Sequence, residues 1–315
     1  MASQTARVTF ATFARIESER MFAAIAAAAG GANRWNHFTS PTPVDEQTVI
    51  RMNRDTLYSA AIIDVSQGAT VTLPDAGDRY VSVMLVNQDH YVTSVLHSPG
   101  VHSLSAEELG SDYVLAAARI LVDPENPEDV AAVNELQAQL ALTSVAGREF
   151  VPAPYDAESF NTTRAAVLEL AKGLDGFEGA FGTKEEVDPL RHLLGAAAGW
   201  GGLPQSEAHY VNVEPGLPVG EYSLTVRDVP VDGFWSISMY NADGFFEPNE
   251  WGHYSVNNIT GVPNPDGSIT VRLGGDPSAA NHLPLTPGWN YLVRLYRPRP
   301  EAIDGSWTFP GIGEA

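Results

Sequence analysis

The sequence predicts an α+β protein, mainly β, in which two strand-rich regions flank a helical segment. Three observations lead there. In the last third, Val226 to Pro310, β-rich alternation is cut by clusters of Gly, Pro, Asn and Asp, the punctuation of antiparallel strands. Thr56 to Leu96 has the same texture, with turn residues at Pro74 to Asp78 and Asn87 to Asp89. Between these regions the apolar period lengthens to that of a helix: Val130, Val133, Leu136 and Leu140 recur on one face of Glu128 to Leu142. A chain of 315 residues has room for two domains of ordinary size, each with its own core. The pattern shifts divide it into 1–104 (an N-terminal helix and first β-domain), 105–204 (the helical segment) and 205–315 (the C-terminal β-domain).

In chain order, Phe10 to Ala29 reads as a helix, with Phe10, Phe13, Ile16, Met21 and Ile25 near helical spacing and Gly30-Gly31 as its stop. Thr39 to Asp45, with Pro41 and Pro43, is an extended connector. Thr56 to Ile63, Ala69 to Leu73, Arg79 to Val86 and His90 to Leu96 read as strands. Ser105-Ala106-Glu107-Glu108 has the form of a helix start, and Asp112 to Val122 reads as a strand or a short apolar segment. Helices follow at Glu128 to Leu142, Asn161 to Leu174 and Pro189 to Ala198; β-structure resumes at His209. Gly233 to Tyr240, Ser268 to Leu273 and Tyr291 to Tyr296 each put apolar side chains on one face at a period of two. Arg79 to Asp89 parallels Gly233 to Asp243: each is a strand with Ser at its fourth position that ends in an Asn-x-Asp turn.

A net charge of −21 repels phosphate backbones and anionic headgroups, so neither nucleic acid nor a membrane surface is expected as a partner. It either favours a neutral or cationic small ligand or reflects only solubility or a salt-adapted source; a homo-oligomer is left open. No cysteine occurs, which excludes disulfides, thiolate catalysis and thiolate metal sites. No run approaches about 18 apolar residues, and the mixed charge of Glu17 to Arg20 ahead of Ala23 to Ala29 does not fit a signal peptide. A cytoplasmic protein is expected.

Candidate site residues lie at strand ends. Asn53-Arg54-Asp55-Thr56-Leu57-Tyr58-Ser59 gathers an amide, a guanidinium, a carboxylate, two hydroxyls and a phenol where a strand begins, and such a set can fix a ligand from a rigid element. His90, beside Asp89 and Tyr91, is a candidate general acid/base. His90, His97 and His102 are numerous enough for a metal, but His90 and His97 fall on opposite faces of a strand, and Ser98-Pro99-Gly100 separates His97 from His102. No metal and no cofactor is therefore expected. No Gly-x-Ser-x-Gly elbow, Gly-x-x-x-x-Gly-Lys loop or His-Glu-x-x-His occurs, so serine-triad and nucleotide-dependent chemistry are poorly supported. Trp251, His253 and Tyr254 form an aromatic group in the C-terminal half.

The 53–59 stretch resembles the bacterial family numbered 1254 among the domains of unknown function. Gly233-Phe234-Trp235-Ser236, Asn281-His282-Leu283-Pro284, Arg294-Leu295-Tyr296-Arg297-Pro298, and Asp304-Gly305-Ser306-Trp307 with Pro310 resemble the partner family numbered 1214. The resemblance implies an immunoglobulin-like β-domain first, then a helical segment, then a jelly-roll-like β-sandwich. It implies no particular reaction, although hydrolase-like labels occur in the family. Two positions depart from its pattern: His253 stands where members commonly carry Arg, and His282 stands where they carry Trp. The expected function is a small-molecule enzyme, a hydrolase or lyase. His90, Asp55, Tyr58 and His253 would supply acid/base groups, and Asn53, Arg54, Trp251 and Tyr254 would bind substrate in a cleft between the β-domains. The alternative is a non-catalytic protein with an aromatic-lined site for a small ligand. A structural partner protein is a third possibility. Trp235 and Trp307 are expected in the C-terminal core.

Overall fold

The computed structural model of the chain describes residues 5–47 and 49–314. The fold is α+β and mainly β, and it divides into two compact units. The first comprises residues 1–38, 58–120 and 134–205, and the second 39–57, 121–133 and 206–315. Chain order and spatial order therefore differ, because two short segments leave the N-terminal half to join the C-terminal unit.

The first unit begins with α1 (Phe10–Ala28). Phe13, Ile16, Phe22 and Ala26 give it a buried stripe, while Phe10 is exposed. Gly30 and Gly31, both at positive φ, close it, with the Gly31 N–H donating to the Ala26 carbonyl at 2.8 Å. β1 (Asn36–His37) leads into β2 (Thr56–Asp64). Next come β3 (Ala69–Leu73), β4 (Val81–Asn87), β5 (Val92–Leu96) and β6 (Gly100–Leu104). The short α2 (Ala106–Leu109) is capped by Ser105, whose hydroxyl accepts from the Glu108 N–H. β7 (Tyr113–Leu121), α3 (Pro127–Gln139), β8 (Ala141–Ser144), α4 (Ala157–Ala171) and α5 (Pro189–Ala198) complete this part of the chain. One sheet has the order β1-β2-β7-β4-β5 and a second the order β6-β3-β8. Phe13, Ile16, Phe160, Val167, Leu194 and Ala197 join α1, α4 and α5 in one apolar cluster.

Two local expectations need correction. Ala141 and Leu142 do not extend α3; they begin β8, which pairs antiparallel with β3. There the Thr70 and Thr143 hydroxyls meet across the strands at 2.7 Å, and sheet pairing overrides a weak helical tail. Gly100 opens a strand, β6, where the turn before it was the more visible signal.

The second unit is a β-sandwich. Its strands are β9 (Ala208–Val213), β10 (Tyr222–Val226), β11 (Trp235–Tyr240), β12 (Ser255–Asn257), β13 (Ile269–Leu273), β14 (His282–Leu283), β15 (Asn290–Tyr296) and β16 (Gly313–Glu314). One sheet runs β14-β13-β10-β16 and the other β12-β11-β15-β9, all pairings being antiparallel except β13 with β14. Leu224, Val226, Val271 and Leu273 from the first sheet meet Trp235, Ile237, Met239, Val293 and Leu295 from the second. Trp235 belongs to this core, as expected, whereas Trp307 is half-buried against its edge. β11 and β15 are buried on both faces. Their second face is polar, and it sets the chemistry of this unit.

The parallel between the two strand ends is carried into their turns. Asn87 Oδ1 accepts from the Asp89 and Tyr91 N–H groups, and Asn241 Oδ1 accepts from those of Asp243 and Phe245. In each turn the fourth residue donates its N–H to the Asn carbonyl at 3.0 Å. That fourth residue is left-handed in both cases, His90 at φ 68° and Gly244 at φ 84°.

Candidate functional site

On β11 the odd residues enter the apolar core, which leaves Ser236, Ser238 and Tyr240 on the opposite face. β15 contributes Asn290, Arg294 and Tyr296 to that face, and β12 contributes Ser255 and Asn257. Polar groups buried this way require partners, and the segment before β2 supplies them. Asp55 is 0% exposed. Its Oδ2 accepts from the Ser236 hydroxyl at 2.7 Å, and its Oδ1 accepts from Ser255 Oγ at 3.1 Å and Asn257 Nδ2 at 3.3 Å. Arg294 Nη1 lies 3.9 Å from the carboxylate. The Arg294 guanidinium also donates to Ser238 Oγ, the Tyr240 hydroxyl and the Arg51 and Met52 carbonyls. Burial opposes its charge, but Tyr240 and Asp55 outweigh that and hold its pKa above the ordinary value. Asp55 is thus fully engaged as an anchor.

Asn53 closes the turn that presents Asp55. Its Oδ1 accepts from the Asp55 N–H, and its Nδ2 donates to Thr56 Oγ1 and to the Tyr296 hydroxyl. Arg54 is buried; it donates to the Thr42 carbonyl, pairs with Glu125 at 2.9 Å and lies over the Tyr254 ring. Regular strand geometry begins only at Thr56, so residues 53–55 form the turn ahead of the strand. Tyr58 is half-buried in the first unit, with the Arg119 guanidinium over its ring at 5.5 Å.

A cavity of about 220 Å³ in the second unit brings together Trp251, His253 and Tyr254 with Glu247, Asn249 and Thr286. Asn249 shapes its rim. Its Oδ1 accepts from the Trp251 and His253 N–H groups, and its Nδ2 donates to the Glu247 and His253 carbonyls. Trp251 is 43% exposed and presents its indole edge-on to His282. His253 Nδ1 lies 3.3 Å from His282 Nδ1. The two positions that depart from the family pattern are therefore neighbours, although 29 residues separate them in sequence. Burial, reinforced by His253, holds the His282 pKa below the ordinary value while Asp276 pulls the other way. One proton shared between the facing nitrogens makes one ring the donor and the other the acceptor. With His253 as donor, its Nε2 carries a lone pair; with His253 as acceptor, its Nε2 carries a hydrogen. Nε2 has no hydrogen bond to another described residue, so the dyad can set its role.

His90 belongs to the core of the first unit. Its Nε2 accepts from the Gly201 N–H at 3.0 Å, its ring stacks on Trp200, and its Nδ1 is buried without a partner. Burial, with His192 adding to it, pushes its pKa down to about 3. His97 Nδ1 faces the Val81 carbonyl and His102 Nε2 the Ser98 carbonyl. Among the described residues, no three His, Asp or Glu side chains group as metal ligands. A pH dependence follows from His90. The unfolded chain binds the proton near pH 6.5 and the folded chain only near 3. Stability should therefore fall as pH drops below 6.5, by up to about 1.4 kcal/mol per pH unit. His90→Asn, a residue that tolerates the left-handed turn, should lose less on acidification from pH 7 to 4. Equal falls in the thermal midpoint for both proteins would exclude His90 as the source.

Sequence reasoning missed His282, Asn249 and the serines around Asp55 as site residues. The departure at His282 was a visible signal; the partnership of Asp55 with residues some 200 positions away had none.

No helix among the described residues is long and apolar enough to cross a membrane. In structure the chain resembles the VPA0106 protein from Vibrio parahaemolyticus, with a TM-score of 0.71 at 17% identity over 97% of this chain and 98% of that one. It also resembles an uncharacterized protein from Burkholderia cenocepacia, with a TM-score of 0.51 at 16% identity over 97% of this chain and 87% of that one. At these identities the likeness is one of fold. No curated protein matches. Residues 32–103 match the family described as DUF1254, and residues 217–300 match the family described as "Protein of unknown function (DUF1214)". The chain thus joins a region that matches DUF1254 to a later region that matches DUF1214.

Proposed function

We propose that this protein is an enzyme acting on a small uncharged or cationic molecule in the cavity of the second unit, as a hydrolase or lyase with His253 as its acid/base group. The His253–His282 contact carries this reading, because a base oriented by a second group is the working arrangement of general acid–base catalysis. His282 takes the orienting role, and its depressed pKa keeps it neutral and able to accept from the His253 Nδ1–H when Nε2 takes up a proton. Trp251 and Tyr254 provide aromatic walls, and Asn249 fixes the loop. The lining contains a carboxylate, Glu247, and no Lys or Arg, which with the net charge of −21 disfavours anionic substrates. Asp55 and Asn53 act as supports for the sheet face beneath. His90 and Tyr58 belong to the first unit and are left out of the chemistry.

A second reading keeps the cavity and drops the reaction. It is favoured by the engagement of Asp55, the buried carboxylate that would otherwise be the natural second catalytic group. A thermal-shift screen of small uncharged and amine metabolites, followed by turnover assays on the hits, separates the two. His253→Ala should reduce turnover about 10²–10⁴-fold while a hit still binds. Turnover that survives His253→Ala would sink the enzymatic reading. Hits that bind without turnover in the wild type would establish the binder.

A further inference from the structure

A second cavity in the same unit, of about 490 Å³, lies within the range of small-molecule pockets, about 300–1,000 Å³. Val211, Val213, Leu295, Trp307, Phe309 and Ile312 form its walls; His209, Tyr291 and Thr308 are its polar side chains, and no Lys, Arg, Asp or Glu lines it. The walls follow from strand period: Val211 and Val213 alternate inward on β9, as do Tyr291 and Leu295 on β15. The chain after β15 then brings Trp307 and Phe309 back against them without filling the space. Val211, Val213, Trp307, Phe309 and Ile312 consequently remain only partly buried, an unusual condition for the apolar face of a sandwich.

One polar group stands out on this wall. Tyr291 is 3% exposed, yet its hydroxyl makes no hydrogen bond to a described residue. The oxygen is not sealed away from solvent, so it opens on the cavity that its ring lines. Burial pushes the phenol's pKa up, which keeps it a protonated donor at neutral pH. Among apolar walls this donor has only water to satisfy it, and an accepting oxygen on an apolar ligand can take the water's place.

We propose that this cavity is a second ligand site, for an uncharged apolar molecule bearing one hydrogen-bond-accepting oxygen, a ketone or ester, which the Tyr291 hydroxyl anchors. The apolar body replaces the missing side chains between β9, β15 and the C-terminal segment, and the oxygen accepts from Tyr291. Fatty acids fit poorly, because the lining offers no Lys or Arg and the chain is strongly acidic. The site is independent of the His253 cavity, with which it shares no lining residue.

The test is calorimetric titration of the full chain with 2-hexanone, 2-octanone and n-octane. Saturable one-to-one binding of 2-octanone is expected, tighter than that of 2-hexanone by about threefold to fourfold per added methylene. Tyr291→Phe, which keeps the ring, should weaken 2-octanone binding about 2- to 12-fold and leave n-octane unaffected. Val211→Trp should fill the space and abolish binding, and His253→Ala should leave it unchanged. The proposal fails if the wild type binds no ketone, or if Tyr291→Phe binds 2-octanone as tightly as the wild type. It fails equally if sedimentation shows a dimer that Val211→Trp dissociates, since the hollow would then be an interface between copies.

Discussion

Replacing Asp55 by Ala should destabilise the second unit by about 3–5 kcal/mol, the cost of removing one member of a buried charge pair. The size follows from what is left behind. Arg294 would remain buried without a compensating anion, and Ser236, Ser255 and Asn257 would each lose their acceptor. Asp55→Asn separates shape from charge, since an amide oxygen can still accept from Ser236. Its cost should be smaller, about 1–3 kcal/mol for a weakened buried hydrogen-bond set. Urea unfolding followed by tryptophan fluorescence would read both. Equal stability of Asp55→Ala and the wild type would mean that the anchor carries no net energy.

Trp235→Ala is expected to cost about 3–5 kcal/mol through the cavity it leaves in the sandwich. Trp235 sits opposite Leu295 on the paired strand, is buried, and meets Phe309 at 6.5 Å between ring centroids. A loss of this size lowers the midpoint of a unit of 100–200 residues by on the order of 10 °C. Trp307→Ala should cost less, because its ring is half-buried at the core's edge. Scanning calorimetry of the two variants gives the comparison. A midpoint for Trp235→Ala within a degree of the wild type would overturn the assignment of this residue to the core.

What the sequence revealed and what it concealed divide along a physical line. Ala69–Leu73 and Pro189–Ala198 are read to the residue, because their boundaries are set locally. Leu73 runs into Pro74, and Asp188 caps its helix by accepting from the Leu190 and Arg191 N–H groups ahead of Pro189 at the first helical position. The Asn-x-Asp turns are local too, and the repeat between them survives in hydrogen-bond detail. Ala141 and Leu142 are misread because their state depends on β3, some 70 residues earlier. The same limit governs the site. The grouping of Trp251, His253 and Tyr254 is visible because one loop holds all three. That Ser236 and Ser238 are buried cannot be read from β11, whose alternation looks like that of a strand with one wet face. Only the arrival of Asp55 and Arg294 on that face explains it.

That arrival imposes an order of events on synthesis. Asp55 leaves the ribosome 181 residues before Ser236, a wait of roughly 9–36 s at about 5–20 residues per second. Until β11, β12 and β15 are made, residues 39–55 have no sheet to join, although β2, directly after them, can already pair with β7. The C-terminal sandwich must therefore recapture a tether from the oldest part of the chain, and such long-range closure slows folding. A nascent chain stalled between the two events would expose the carboxylate of Asp55 at one end and, once β15 appears, the guanidinium of Arg294 at the other. Completion of the last strands is thus the step at which the tether around Asp55 is captured.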